Sequence, residues 1–560
     1  MIAVALMMEL AVRLAAPAAP AGSGIQFQDV SRESGVVFTH VNGGSGEKYY
    51  VETMGSGACW LDFDGDGDLD LYVVNSTELP GFEAAARPTH HLYRNDGKGR
   101  FSDVTQRAGL AASTYGMGCA AGDVDNDRDV DLYLTNFGPN VLYRNQGDGT
   151  FVDVTAAAGV GDPRWSASAA FADIDNDGDL DLYVANYVDF TLENNRFCGE
   201  RKPGYRTYCH PDEYNGVPDS LYRNRGDGTY EDVSTKAGVA DPAGKGLGVV
   251  FTDINDDGWQ DIYVANDKTI NFLYLNNRDG TFKDISMASG TGFSESGLAQ
   301  AGMGTDAGDV NGDGRIDLIV TNLDYETNEL YLGNGDLTFT DATFPAGLGG
   351  HCFLEVGFGT DMLDYDNDGD KDLLVVNGHI IDNIALFRDE VTYEQRRCML
   401  ENDGTGKFKE AAPRLGADFI RPGVGRGLAV ADYDDDGDQD FYVVNCNRAG
   451  ELLRNLGGND PKRGGGHWIL IALEGTRSNS HGVGARVRIM TKDAAGKERW
   501  QMDEARAGSS YLSQNDPRLH FGLGSATRIA RIEIRWPSGT VQTLTDVAAD
   551  QILKVKEPAP

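Results

Sequence analysis

The chain has 560 residues, 40% of them hydrophobic, with 72 glycines and a formal net charge of −38. The apolar content excludes a generally disordered chain. The acidity excludes nucleic acid as a partner, which needs a basic patch as its electrostatic footprint.

Residues 1–22 are apolar through Met8, then rich in Ala and Pro, and close on Ala-Pro-Ala-Gly. That tail suits signal cleavage, while Glu9 and the absence of a basic start depart from the pattern. The segment is read as a signal peptide, which makes the product secreted, periplasmic or attached to the cell surface. No later apolar run is long enough to span a bilayer, so no transmembrane segment is expected.

From residue 25 onward one acidic signature recurs seven times: LDFDGDGDLD, GDVDNDRDVD, ADIDNDGDLD, TDINDDGWQD, GDVNGDGRID, LDYDNDGDKD and ADYDDDGDQD. These segments hold 33 of the 87 carboxylates, so the acid is placed rather than spread. Successive copies lie 61, 50, 80, 56, 55 and 68 residues apart, the periodicity of a repeat architecture. Each is followed by a β-rich run such as LYVVN, then a second such as LYRN, then a Gly/Asp turn and a third such as Phe101-Ser-Asp-Val104. With the Gly-rich strand before each acidic loop, every unit has four strands, one blade of a propeller. The FxDV-like strand of the last unit is missing after Leu452-Leu-Arg-Asn455, while Phe27-Gln-Asp-Val30 precedes all the loops. The expected fold is therefore all-β: a seven-bladed β-propeller over residues 25–455, circularly closed by its N-terminal strand, which leaves no free sheet edge.

Within each loop, oxygen-bearing side chains fall at positions 1, 3, 5 and 9. They are Asp62, Asp64, Asp66 and Asp70; Asp123, Asp125, Asp127 and Asp131; Asp173, Asp175, Asp177 and Asp181; Asp253, Asn255, Asp257 and Asp261; Asp309, Asn311, Asp313 and Asp317; Asp364, Asp366, Asp368 and Asp372; Asp432, Asp434, Asp436 and Asp440. A Gly at position 6 supplies a sharp turn and position 7 a backbone carbonyl. Such alternation converges six to eight hard oxygens on one point, which is what Ca2+ requires and Mg2+ resists. Position 12 of the first loop is Val73 in a β-rich run, not the bidentate Glu of an EF-hand. Up to seven Ca2+ are expected, in a mainly structural role. Arg128 in place of Gly is the clearest departure, expected to strain the turn or weaken that site.

The chain has seven cysteines. Cys198 and Cys209, in one loop bent by Pro and Gly, are expected to form a disulfide; Cys352 and Cys398 are a weaker second pair. Cys59 and Cys119, in apolar Gly-rich strands, are read as buried thiols.

The acidic repeats resemble FG-GAP/VCBS repeats, the units of the integrin α-subunit propeller. The final hundred residues look like an ASPIC/UnbV domain, on Ser478-Asn-Ser-His-Gly482-Val-Gly484-Ala485-Arg486-Val487, His520-Phe-Gly522-Leu-Gly524 and Trp536-Pro537-Ser538-Gly539. Together they make the chain similar to the bacterial relatives of cartilage acidic protein. The resemblance implies calcium binding on all seven loops and extracellular recognition, with no settled reaction.

A Gly-rich linker over residues 456–466 leads to a C-terminal domain over 467–557, read as a small β-sandwich. Its strands are expected at Trp468–Leu473, Arg486–Thr491, Ile529–Arg535 and Gln551–Val555. Its arginines either dock on the acidic propeller or meet an acidic glycan. Its Gly-rich motifs are turns or, alternatively, a binding surface around Ser478, Asn479 and Trp536.

Propeller geometry puts the three long insertions, Ser76–His90, Tyr187–Ser220 and Gly378–Arg397, on the face opposite the acidic loops, with most of the histidines. Glu52, Lys245, Glu355, His379 and Arg426 are the candidate ligand-facing residues there; Trp165 and Tyr115 stack on a sugar ring or pack. Because no GxSxG, HExxH, P-loop or dinucleotide fingerprint is present, the leading expectation is an exported recognition or adhesion module for a glycan or protein. An enzyme with Glu52 or Glu355 at the channel mouth, or a calcium-dependent assembly component, are the alternatives.

Overall fold

A computed structural model describes residues 24–83, 86–492 and 496–559. The signal-peptide segment lies outside the described residues. Between Gln26 and Leu456 the described residues fold into seven four-stranded antiparallel sheets, joined by turns, single-turn helices and three longer insertions. In the first sheet Ala58–Leu61, Asp70–Val73, His91–Asn95 and Phe101–Asp103 follow one another in order. In the last, Gly425–Ala431, Asp440–Asn445 and Glu451–Leu456 are completed by Gln26–Asp29, with Phe27 opposite Asn455. The architecture is that of a β-propeller.

The core is divided between sheets. Trp60, Leu71, Ala429, Tyr442 and Val444 share one buried cluster, so the first sheet packs directly on the last. Corresponding clusters join each of the other neighbouring pairs, which is why the strands read as continuous apolar runs.

The Asn of each LYRN-like run has a function that its repetition alone did not disclose. Asn95 donates from Nδ2 to Leu69 O in its own sheet and to Tyr433 O in the last one (3.0 and 2.8 Å). Asn145, Asn224, Asn276, Asn402 and Asn455 reach back in the same way to Phe63, Val124, Ile174, Val310 and Tyr365 of the preceding sheet. In the fifth sheet Gly333 stands in this place, and no such stitch is present among the described residues. Asn95→Ala leaves two buried carbonyls unpaired at the junction of first and last sheets, and the expected loss is about 2–4 kcal/mol in urea unfolding. A loss below about 0.5 kcal/mol, the level of an ordinary surface change, contradicts the assignment.

The C-terminal domain is a sandwich of a four-stranded sheet (Glu498–Glu504, Arg486–Lys492, Arg528–Arg535, Val541–Ala548) and a three-stranded one (Leu519–Gly524, His467–Glu474, Gln551–Lys556). Ile469, Val487, Ile532 and Trp536 lie in the core between them. Its segment 505–518 leaves the sandwich and runs along the inner strands of the propeller. It touches the inner strand or its lead-in in every sheet. Gln514 N donates to Ala58 O (3.0 Å), Cys119 N to Leu512 O (3.2 Å), Phe171 N to Ala507 O (2.8 Å), Ser510 N to Thr305 O (2.8 Å), Thr360 N to Ser510 Oγ (3.1 Å) and Asp516 N to Val430 O (2.8 Å). At Gly248 a Cβ would lie 3.1 Å from Ser510 O.

Disulfides join Cys198 to Cys209 and Cys352 to Cys398, and Cys446 is a buried free thiol. The reading of Cys59 and Cys119 as thiols is corrected: they form a third disulfide, Cα–Cα 6.1 Å. They lie one register position apart in the inner strands of adjacent sheets, Cys59 opposite Tyr72 and Cys119 opposite Leu134, so their side chains leave opposite strand faces and meet between the sheets.

Candidate metal centres and the opposite face

Backbone geometry aims the loop carboxylates inward. The first Asp of each loop collects two N–H groups: Asp62 from Gly65 and Gly67 (2.9 Å each), Asp173 from Asp177 and Gly178 (3.1 and 3.0 Å), Asp432 from Asp436 and Gly437 (3.1 and 2.8 Å). Position 6 is left-handed throughout, with φ of +95° at Gly67 and +90° at Gly437. The Asp at position 9 is a buried strut. Asp70 accepts from Phe63 N (3.2 Å) and Asn95 N (2.8 Å), tying the loop to the third strand of its sheet.

In five loops three ligand oxygens lie within 4.8 Å of one another: Asp62, Asp64 and Asp66; Asp123, Asp125 and Asp127; Asp173, Asp175 and Asp181; Asp364, Asp366 and Asp372; Asp432, Asp434 and Asp440. Oδ1 of Asp64, Asp175 and Asp434 and Oδ2 of Asp372 and Asp440 are buried with no hydrogen-bond partner. Burial first, and neighbouring carboxylates next, push Asp366 up to about 7 and Asp434 up to about 6. Burial also carries Asp70 and Asp131 up to about 8, against the pull of their backbone hydrogen bonds. A divalent cation would meet both the orphaned oxygens and the repulsion, so the donor set fits a hard, oxygen-seeking ion. The fourth and fifth loops carry Asn255 and Asn311 at position 3 and keep the same N–H capture at Asp253 and Asp309.

The arginines of the LYRN runs lie over these loops: Arg223 is 3.1 Å from Asp175, and Arg454 is 2.7 Å from Asp434. The Arg before the Asn in four of the seven runs (Arg94, Arg144, Arg223 and Arg454) is the sequence signal for this contact.

The C-terminal domain sits on the same face. Arg518 pairs with Asp435 (2.7 Å) and donates to Asp432 O (2.6 Å); Arg535 reaches Asp253 (2.6 Å); Arg486 reaches Asp256 (2.7 Å); Arg499 pairs with Asp370. Docking on the propeller, one of the two alternatives for these arginines, is what the structure contains. Arg128 keeps the left-handed turn at φ +81°, still donates to Asp123 (2.8 Å), and extends its guanidinium to Glu474 of the C-terminal domain (2.6 Å). The departure from Gly thus carries an interdomain contact. The surface imagined around Ser478, Asn479 and Trp536 is corrected as well. Trp536 and Asn479 are buried, and the Asn479 side chain is occupied by Val483 N and O (2.8 Å each).

On the opposite face the insertions gather. Arg206 of the second insertion pairs with Glu47 (2.6 Å), and Asn383 of the third donates to Gly204 O and Arg206 O. Glu52 is buried and accepts from Tyr208 OH (2.8 Å) and Tyr49 N (2.9 Å). Lys245 is buried on Pro211 O (2.9 Å), and Glu355 lies 3.3 Å from Arg396. Arg426 is wholly enclosed, held by the carbonyls of Thr53, Gly378, Gly425 and His379 and 3.9 Å from the Phe358 ring centroid. Of the five, Glu52, Lys245, Arg426 and His379 are buried and hydrogen-bonded within the protein. Trp165 and Tyr115 are packed in the same core as Tyr50 and Tyr187.

The histidines of this face act as acceptors. Nδ1 of His40 receives Asn447 N (3.0 Å), that of His90 receives Asn75 N (3.0 Å) and that of His379 receives Ile381 N (2.9 Å). Burial depresses all three, His40 and His90 to about 3 and His379 to about 4. A folded-state pKa below the unfolded value means that the unfolded chain binds more protons in between. The contribution is therefore complete above the unfolded pKa of about 6.5 and is lost as pH falls toward 3–4, at about 1.4 kcal/mol per pH unit for each residue. The unfolding midpoint is expected to drop between pH 6.5 and 4.5, less steeply in His40→Gln and His90→Gln; an equal slope in the variants contradicts this.

A family profile described as "FG-GAP-like repeat" matches residues 62–134, 123–184, 212–264, 253–320 and 309–375, and one described as "ASPIC and UnbV" matches 475–560. The chain belongs to the FG-GAP-repeat proteins that carry a C-terminal ASPIC and UnbV domain. Within that class it is 28% identical over 375 residues to cartilage acidic protein 1 of Homo sapiens, covering 64% of this chain and 52% of that protein. It is 28% identical over 345 residues to the Mus musculus protein, covering 61% and 49%. The chain thus spans about half the length of these relatives. Among solved structures, an Agrocybe aegerita protein described as recognising non-reducing terminal N-acetylglucosamine is similar at 19% identity and TM-score 0.40, covering 66% of this chain and 82% of that one. A V. cholerae biofilm matrix protein is similar at 12% identity and TM-score 0.29, covering 92% and 70%. Likeness at that level does not bear on function. Among the described residues no helix is long and apolar enough to cross a membrane.

Proposed function

We propose that the chain is an exported, calcium-stabilised propeller of seven blades in a closed ring, residues 25–455, that recognises an extracellular glycan or protein. One observation carries this reading: buried loop oxygens on Asp64, Asp175, Asp372, Asp434 and Asp440 take no hydrogen bond among the described residues. Calcium at each loop would supply a partner, and seven ions would bring the charge from −38 to −24. Ring closure is supported by the Asn95–Tyr433 stitch, the Phe27 strand and a C-terminal segment in contact with all seven inner strands. Three disulfides and the similarity to cartilage acidic protein 1 support an oxidising, extracellular location.

The C-terminal domain covers the metal-loop face, which leaves the insertion face for a partner. Its disulfide-pinned hairpin carries exposed Phe197 and Arg201, with the guanidinium 5.3 Å from the ring centroid. Binding to glycan and extracellular-matrix arrays in calcium is expected to be lost when residues 197–209 are replaced by a Gly-Ser turn and in EGTA. Binding retained by that replacement overturns the assignment of the face.

A further inference from the structure

A chamber of about 180 Å3 lies in the insertion face, over the end of the propeller opposite the metal loops. It is somewhat larger than the cavity of about 150 Å3 that accepts benzene. Its wall includes Tyr50, Tyr187, Tyr208, Met303, Phe358 and Asp267. His210 and Arg388, whose side chains are 50% and 43% exposed, also border it and open it to solvent.

Asp267 has no obvious reason to be there. It is 9% exposed and directly follows a strand, where an apolar residue would serve packing better. Its Oδ2 accepts from Tyr187 OH, which in turn accepts from Tyr50 OH (2.6 Å), and Oδ1 takes no hydrogen bond among the described residues. The other charges at the wall are matched: Lys268 with Glu326, Arg388 with Asp324. Among the described residues no cation lies within 4.0 Å of Asp267, and Lys245, His210 and Lys268 act on it only from beyond ion-pair distance. A buried carboxylate with no cation in contact is costly unless something supplies one. The surrounding tyrosine rings present the negative faces that attract a cation. The fold already uses that device nearby, with Arg426 against Phe358.

We propose that this chamber binds a small organic cation, a primary or quaternary ammonium on a compact apolar body, with the charge on Asp267 and against the tyrosine rings. The proposal rests on the insertion face being the recognition face. The ammonium belongs to a free amine or to a lysine side chain of a protein partner.

The test is calorimetric titration of the whole chain, in saturating calcium, with benzylamine, tetramethylammonium, N-acetyl-lysine methylamide, benzyl alcohol and benzoate. Quenching of Trp165, whose ring centroid is 5.1 Å from that of Tyr187, gives a second readout. The cations are expected to bind, and Asp267→Asn to weaken them about tenfold or more while leaving benzyl alcohol unchanged. Benzylamine without the lysine derivative assigns a free amine, and the reverse a protein side chain. Asp267→Asn is also expected to melt no lower than the wild type, since it removes an unmatched buried charge; a lower melting point points to a structural role and overturns the proposal. Cations that bind no better than benzyl alcohol, bind equally to Asp267→Asn, or fail to bind at millimolar concentration overturn it too. The 197–209 replacement also removes Tyr208 from the wall, whereas Asp267→Asn leaves the hairpin intact, so ammonium binding lost in Asp267→Asn with array binding retained there separates the failure of one reading from the failure of the other.

Discussion

Transfer of the calcium-loaded chain into excess EGTA is expected to lower its midpoint of thermal unfolding by tens of degrees, an effect on the order of that seen when tight ions are linked to folding. Each site held at a hundredfold excess over its dissociation constant contributes about 2.7 kcal/mol. Several such sites therefore rival the whole stability of an ordinary domain, about 5–15 kcal/mol. The removed ions would expose carboxylate groups such as Asp364, Asp366 and Asp372, whose charged forms burial already disfavours. Magnesium is expected to restore little, because it gives up its waters reluctantly. A shift of only a few degrees on chelation, measured by calorimetry, would count against bound calcium as the organising element.

The second large effect is expected at the segment 505–518, which packs along the inner strands. Tyr511 is fully buried, 5.0 Å from the Phe358 ring centroid, and donates to Met54 O (3.2 Å). Tyr511→Ala empties that site, and the expected cost is about 3–5 kcal/mol. Gly57→Val is harsher, since even a Cβ there would stand 1.7 Å from Leu512 O and the segment must withdraw. Limited proteolysis is expected to spare 505–518 in the wild type and to cut within it in Gly57→Val, followed by release of the C-terminal domain. Wild-type cleavage kinetics in the variant would show that the segment does not depend on its seat along the inner strands.

The repeat made the sheets legible because Asp, Gly and alternating apolar residues mark local turns and strands, and seven copies in one register leave little ambiguity. The N-terminal strand was legible by subtraction, from one FxDV run too many before the first loop. Three features were not. Cys59 and Cys119 are 60 residues apart and meet only across neighbouring sheets. The LYRN asparagines read as strand ends, while their amides bind the preceding sheet. The segment Ala-Arg-Ala-Gly-Ser-Ser-Tyr-Leu has neither strand alternation nor helix period, because its partners are backbone groups of the inner strands. Functional residues were the least legible. Glu52, Arg426 and His379 carry chemistry by type, and each is buried with hydrogen bonds to its surroundings that no local sequence pattern shows. Asp267, at the end of a regular strand run, carried no signal beyond its charge.

Native mass spectrometry of the purified chain, desalted into ammonium acetate with and without prior EGTA, addresses the metal loops most directly. A mass increment of five to seven calcium ions that EGTA removes, together with collapse of the compact charge-state envelope, is the predicted result. A chain that carries no divalent ion and keeps the same compact envelope in EGTA would contradict it.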